Sequence, residues 1–215
     1  MPAKPAILSA ARAARSSAAQ AASASAAKAA RASALQGANP FFTIGHSTRP
    51  VDEFVSLLAA SAVRLVVDVR TVPRSRTNPQ YNKDTLPATL AAADVAYAHL
   101  AALGGLRGHD ASIPAGVNGF WDNASFHNYA DYALGTAFAA GLQVLRDAGH
   151  AQRCAIMCSE AVWWRCHRRI VSDYLLARGE TVFHIMGRGK VVAAELNPAA
   201  RRQGEALVYP PAARA

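Results

Sequence analysis

Residues 154–178 read Cys-Ala-Ile-Met-Cys-Ser-Glu-Ala-Val-Trp-Trp-Arg-Cys-His-Arg-Arg-Ile-Val-Ser-Asp-Tyr-Leu-Leu-Ala-Arg. The short apolar run 154–157 predicts a buried strand, and the apolar positions that follow keep a 3.6-residue period, which predicts a helix to about residue 178. Between them lie Cys158, Glu160, Arg165, Cys166, His167 and Arg168, six chemistry-bearing side chains within eleven residues. Open α/β folds build ligand sites where strands deliver such side chains at their carboxyl ends. The stretch therefore predicts both an α/β fold and the place of a site.

Working outward, the same alternation recurs. Residues 41–44 predict a strand ending in Gly45-His46-Ser47-Thr48, then a helix over 51–60 with Phe54, Leu57 and Leu58 on one face. Residues 65–70 are a second strand, apolar and β-branched enough for the middle of a parallel sheet. The polar loop 71–82 and a helix over 83–93 lead to a third strand over 95–100, which ends at Leu103-Gly104-Gly105. Residues 106–125 read as an irregular excursion, 126–148 as the longest helix and 181–186 as the last strand. No periodic element is legible in 188–215. The order implies a three-layer α/β domain, Rossmann-like or flavodoxin-like, with a mostly parallel sheet of about five strands. The domain is expected over 39–187, with a C-terminal extension over 188–215.

Residues 1–38 contain Ala, Ser, Lys and Arg with no aromatic residue and no acid, a composition expected to be a disordered basic tail. Arg- and Ser-rich composition without acid also suits an organelle transit peptide. Of the formal charge of +9, five units sit in this tail and two in 196–215, which leaves +2 for the body. Weak nucleic-acid contact through the tail is thus expected, whereas the body is no strongly basic nucleic-acid binder. The three cysteines, at 154, 158 and 166, are an odd and clustered set, so reduced thiols and a cytoplasmic location are expected. No run reaches the ~18–20 strongly apolar residues of a membrane span, and no membrane partner is expected.

In a parallel sheet the strand ends converge on one edge, bringing His46, Ser47, Thr48, Asp68, Arg70, Cys158 and Glu160 together. Ser47 and Thr48 read either as anion ligands or as caps of the next helix. Asp68, inside an apolar run, needs a buried partner; it is either the ion-pair mate of Arg70, Arg74 or Arg76, or a general base or ribose-binding carboxylate. Arg70, Arg74 and Arg76, with Asn78, Gln80, Tyr81 and Asn82, suit phosphate or nucleobase contact, although a solvated loop has the same composition. Cys158 at a helix start is a candidate nucleophile or a buried apolar residue. A tyrosine-phosphatase loop is excluded, because Cys-x5-Arg would place arginine where Trp164 stands. Glu160 is a general acid/base, or a charge complementing the helix dipole. His167 shares a helix face with Trp163, Ile170 and Tyr174 and is expected to point at the sheet, either as a satisfied core histidine or as a group facing the Cys158/Glu160 crevice. Cys158-x7-Cys166 is not a structural zinc spacing, so no metal is assigned; a metal held by Cys158, Cys166, His167 or His46 is the alternative. No GxGxxG or GxxxxGK[ST] is present, so no cofactor is expected.

These motifs resemble one family. Thr43-Ile44-Gly45-His46-Ser47-Thr48, Asp68-Val69-Arg70 with Pro73-Arg74-Ser75 and Asn78-Pro79, Leu103-Gly104-Gly105, Cys158-x-Glu160 and Cys166-His167-Arg168 are similar to the domain of unknown function 488 family, over about residues 41–187. The resemblance implies a compact α/β domain with its motifs at one end of the sheet, and no defined reaction. Together the residues lead to an enzyme, a hydrolase or group transferase, acting on a phosphorylated or nucleotide-like small molecule. In it Arg70, Arg74, Arg76 and Arg168 hold the anion, and Cys158, Glu160, His46, His167 and Asp68 supply the chemistry. A non-catalytic nucleotide or nucleic-acid binding module is the alternative, and a metal-binding protein the second.

Overall fold

Six strands hydrogen-bond in the order β3-β2-β4-β1-β5-β6, all parallel except the last pair. They are β1 (Phe41–Gly45), β2 (Leu65–Asp68), β3 (Ala96–His99), β4 (Cys154–Cys158), β5 (Val182–Gly187) and β6 (Lys190–Ala193). The computed structural model describes residues 39–212, so the expected basic tail over 1–38 lies outside the described residues. Among the described residues no helix is long and apolar enough to cross a membrane.

Strand alternation explains the three layers. On one face Phe41, Leu65, Val67, Cys154, Ile156 and Val182 pack with residues of α3 (Ala124–Tyr132), α4 (Thr136–Ala151) and α5 (Arg168–Ala177). On the other, Phe42, Ile44, Val66, Ala155, Met157 and Ile185 pack with α1 (Val51–Ala60) and α2 (Leu86–Ala91). Because β1, β2 and β4 are buried on both faces, they read as continuous apolar runs. Each fully buried Leu or Phe contributes about 1.5–3 kcal/mol, which makes the two clusters the main stabilising element.

The strand order is neither the 3-2-1-4-5-6 of the dinucleotide-binding fold nor the 2-1-3-4-5 of flavodoxin. Here β4 inserts between β1 and β2, with Gly45 opposite Cys158 and Asp68 opposite Met157. Three motif-bearing strands therefore end side by side, and this register positions the site.

Four elements differ from the sequence reading. The helix expected over 126–148 is two helices, α3 and α4, broken at Leu134-Gly135; the apolar period runs through the break because Tyr129 and Phe138 pack into the same cluster. The helix after β4 begins at Arg168 instead of near Glu160, and the intervening chain holds only a 3-10 turn over Trp163–Arg165. The sheet has six strands because β6 adds an antiparallel edge. Residues beyond it form a hairpin of β7 (Arg201–Gln203) and β8 (Ala206–Val208). Leu207 and Tyr209 enter the core, where the Tyr209 hydroxyl donates to Asp173 at 3.0 Å.

Candidate active site

At the carboxyl ends of β1, β2 and β4 lies a cavity of about 750 Å³, within the usual range for small-molecule sites. Of the residues expected at the site, it is lined by His46, Ser47, Thr48, Arg70, Arg74, Cys158, Glu160 and His167. Asp68, Arg76 and Arg168 are not among its walls.

Asp68 sits behind the cavity as the buried partner of Arg70. Its Oδ1 accepts the Arg70 backbone N–H at 3.0 Å and Nε at 2.9 Å, and its Oδ2 accepts Nη2 at 2.6 Å and the Tyr97 hydroxyl at 2.7 Å. With four bonds accepted, the carboxylate has no lone pair left for a substrate proton. Of the two readings of Asp68, the geometry favours the ion pair. Arg70 also donates to the Tyr81 carbonyl and to His46 Nε2, so most of its donors are engaged inside the protein.

His46 is similarly held. Its Nε2 accepts from Arg70 at 3.2 Å, which places the proton on Nδ1, where it is donated to the Ser47 carbonyl at 2.8 Å. Burial lowers its pKa to about 4, and the ring stacks on Tyr81 at 4.2 Å. A neutral ring with both nitrogens engaged inside the protein holds Arg70 in position. Tyr81, expected to be a loop aromatic offered to a nucleobase, is fully buried beneath His46.

Arg168 is 1% exposed and is the anchor of the 159–167 segment. Its Nη2 donates to the Glu160 carbonyl, its Nε to Cys166 Sγ at 3.2 Å, and its Nη1 to Thr43 Oγ1 at 3.5 Å. The segment is pinned from three further directions. The N–H groups of His46 and Ser47 donate to the carbonyls of Cys158 and Ser159. Trp163 stacks on His184, whose Nδ1 lies 2.8 Å from Thr43 Oγ1. Gly45 has no Cβ, and one built there would lie 1.9 Å from the Glu160 carbonyl oxygen. Ser47 holds a left-handed φ of 49° at this junction, a conformation that non-glycine residues adopt at some cost and often near functional sites. Neither Ser47 nor Thr48 caps α1, whose N-cap residue is Pro50.

The side chains held by this frame are Cys158, Glu160, Cys166 and His167. The ligand atoms of Cys158, Cys166 and His167 lie within 4.8 Å of one another, and His167 Nδ1 is 3.7 Å from Cys166 Sγ. Burial resists ionisation of Cys166, but the Cys158 thiol and the charge and N–H groups of Arg168 outweigh it and lower the pKa to about 6. Cys158 moves the other way, to about 12, because its S–H is held by Cys166 and because it is buried. Of the two thiols, Cys166 is the one whose ionisation the surroundings favour, because Arg168 lies beside its sulfur. The sequence signal for Cys166 is its place in Cys-His-Arg, but its proximity to Cys158 appears only once the segment folds back. His167 precedes α5, where a residue inside the helix was expected; it packs against Tyr129 and Gly105, and its Nε2 is buried without a partner among the described residues.

Glu160 is exposed at the cavity, and its carboxylate has no partner among the described residues. Arg165 joins Arg74 as a cavity-lining cation; Arg74 pairs with Asp84 at 2.7 Å, both well exposed. Leu106 and Asn123 of the irregular segment, with Ser125 and Phe126 of α3, complete the wall.

Residues 50–175 match the family described as domain of unknown function DUF488. The chain belongs to that family. Comparison with curated proteins and with solved structures returned no match. In this DUF488 domain the match takes in Asp68, Arg70, Cys158, Glu160, Cys166, His167 and Arg168, and so most of the site.

Proposed function

We propose that this DUF488 domain is an enzyme, a hydrolase or group transferase, whose active site is the cavity at the ends of β1, β2 and β4. The observation that carries the reading is the convergence there of a sulfur–imidazole cluster and an unpartnered carboxylate. Such a pairing supplies a reacting centre and a group that moves protons. The walls support the substrate class. Arg74 and Arg165 suit a phosphoryl or other anionic group, while Val72, Leu106 and Phe126 offer apolar surface beside the amides and hydroxyls of Asn78, Asn123 and Ser125. A phosphorylated, nucleotide-like molecule has both ends. With Arg168 and most of Arg70 engaged inside the protein, the anion falls to the two arginines of the mouth.

The test is a thermal-shift screen of the full chain against nucleotides and sugar phosphates, followed by turnover assays on each stabilising compound. The expected result is a hit that weakens in Arg165→Ala, still binds Glu160→Gln, and is converted by the wild type alone. Binding without turnover, indifferent to Glu160→Gln, would establish the non-catalytic binding module instead.

A further inference from the structure

Cys158, Cys166 and His167 have a geometry that two catalytic thiols would not need. Both sulfurs are almost fully buried, at 6% and 2% exposure, and they face each other and the imidazole. A nucleophile has to reach its substrate, whereas a metal ligand has to reach a shared centre. In a tetrahedral zinc site, Zn–S of ~2.3 Å and Zn–N of ~2.0–2.1 Å set sulfur and nitrogen about 3.6 Å apart, and two sulfurs about 3.8 Å apart. The Cys166–His167 separation here is 3.7 Å, and all three ligand atoms fall within 4.8 Å. We propose that Cys158, Cys166 and His167 bind one zinc ion, with the fourth coordination position open to the cavity.

The surroundings fit that assignment. Two thiolates and an imidazole are the ligand set that selects zinc among the common divalent ions. The Arg168 N–H at 3.2 Å from Cys166 Sγ is the kind of outer contact that holds a metal thiolate in place. The His167 ring is fixed by Tyr129 and by the missing side chain of Gly105, where a Cβ would lie 2.4 Å from Nδ1. Nδ1 is the ring nitrogen that faces Cys166 Sγ, so it is the one placed as a ligand, with the ring proton then on Nε2. Three protein ligands with one open position are the pattern of catalytic zinc, whereas structural sites are closed by four.

The role of the ion rests on the enzyme reading above; its binding does not. A water molecule in the open position loses a proton to Glu160, which lines the same cavity outside the ligand cluster. The resulting hydroxide forms a bond to the electrophilic atom of the substrate as the bond to the leaving group breaks, and Glu160 returns the proton to that group. No electron is transferred. Of hydrolase and transferase, this chemistry selects hydrolase.

The experiment is elemental analysis of the full chain purified without a metal-binding tag, followed by replacement of the zinc with cobalt. About one zinc per chain is expected, falling at least about tenfold in Cys158→Ser and Cys166→Ser and persisting in Glu160→Gln. The wild-type cobalt protein should show a thiolate-to-metal absorption band and tetrahedral d–d bands, a readout that does not depend on any variant folding. Protein that takes up neither metal, or zinc retained in folded Cys166→Ser, overturns the site. Neither result touches the ligand screen, so a failed metal site and a failed enzyme reading are told apart.

Discussion

Asp68 shows how a residue that looks catalytic in sequence becomes structural in space. A carboxylate in an apolar strand demands partners, and here it has Arg70 and Tyr97. Removing one member of a buried ion pair leaves the other charge uncompensated, which costs about 3–5 kcal/mol. Asp68→Asn is therefore expected to lower stability by about 3 kcal/mol in urea unfolding. Tyr97→Phe, which removes one hydrogen bond to a charged group, should cost about 1.5 kcal/mol. A general base facing the cavity would give the opposite pattern, with unchanged stability and lost turnover. Glu160 is the residue expected to behave that way, since nothing in the fold rests on its carboxylate.

At the scale of elements, the 159–167 segment is the part that makes the site. A helix starting at Glu160 would carry Cys166 away from Cys158. The chain instead lies over the end of β1, at a distance only Gly45 permits. Gly45→Ala puts a methyl group against the Glu160 backbone, which has no rotamer to move, so a loss of about 1–3 kcal/mol is expected together with loss of ligand binding. Gly105→Ala meets first the ring of His167, a side chain that a methyl group can push out of its seat, whereas the Glu160 backbone cannot give way. Its stability loss in urea should be smaller while its zinc uptake falls; equal stability losses would show that the segment is not seated through Gly45. The same elements mark what was legible in the sequence. Helix 51–60 and the central strands were readable, because burial on one or both faces writes a period or an unbroken apolar run. β6 and β7 are exposed along their length and leave no such pattern. The start of α5 was hidden because Trp163 and Trp164 continue an apolar rhythm, although Trp163 serves to stack on His184 of β5. Cysteines 158 and 166 stood in the sequence as neighbours of unknown relation, and only the fold-back brings their sulfurs together.

For the whole molecule, three buried groups set how stability varies in mild acid. Burial lowers the pKa of His46 and of His184 from 6.5 to about 4, while it raises Asp173 on α5 from 3.8 to about 6. Between about pH 4 and 6 the unfolded chain binds more protons at each histidine than the folded protein does, so each makes stability rise with pH. At Asp173 the folded protein binds more, so its contribution falls as pH rises. Each group is worth up to about 1.4 kcal/mol per pH unit, and two against one leaves a net rise of about that size. Urea unfolding across this window should show that slope in the wild type. Asp173→Asn, which keeps the Tyr209 contact without a titrating group, should about double it, and His184→Gln should bring it close to flat. A wild-type slope unchanged by either variant would mean that these groups do not hold the protons assigned to them. The result bears on the site as well, because His184 links Thr43 to Trp163. Protonating it sets a cation beside Arg168 and loosens the segment that carries Glu160 and Cys166, so ligand binding should decline over the same pH range in which stability is lost.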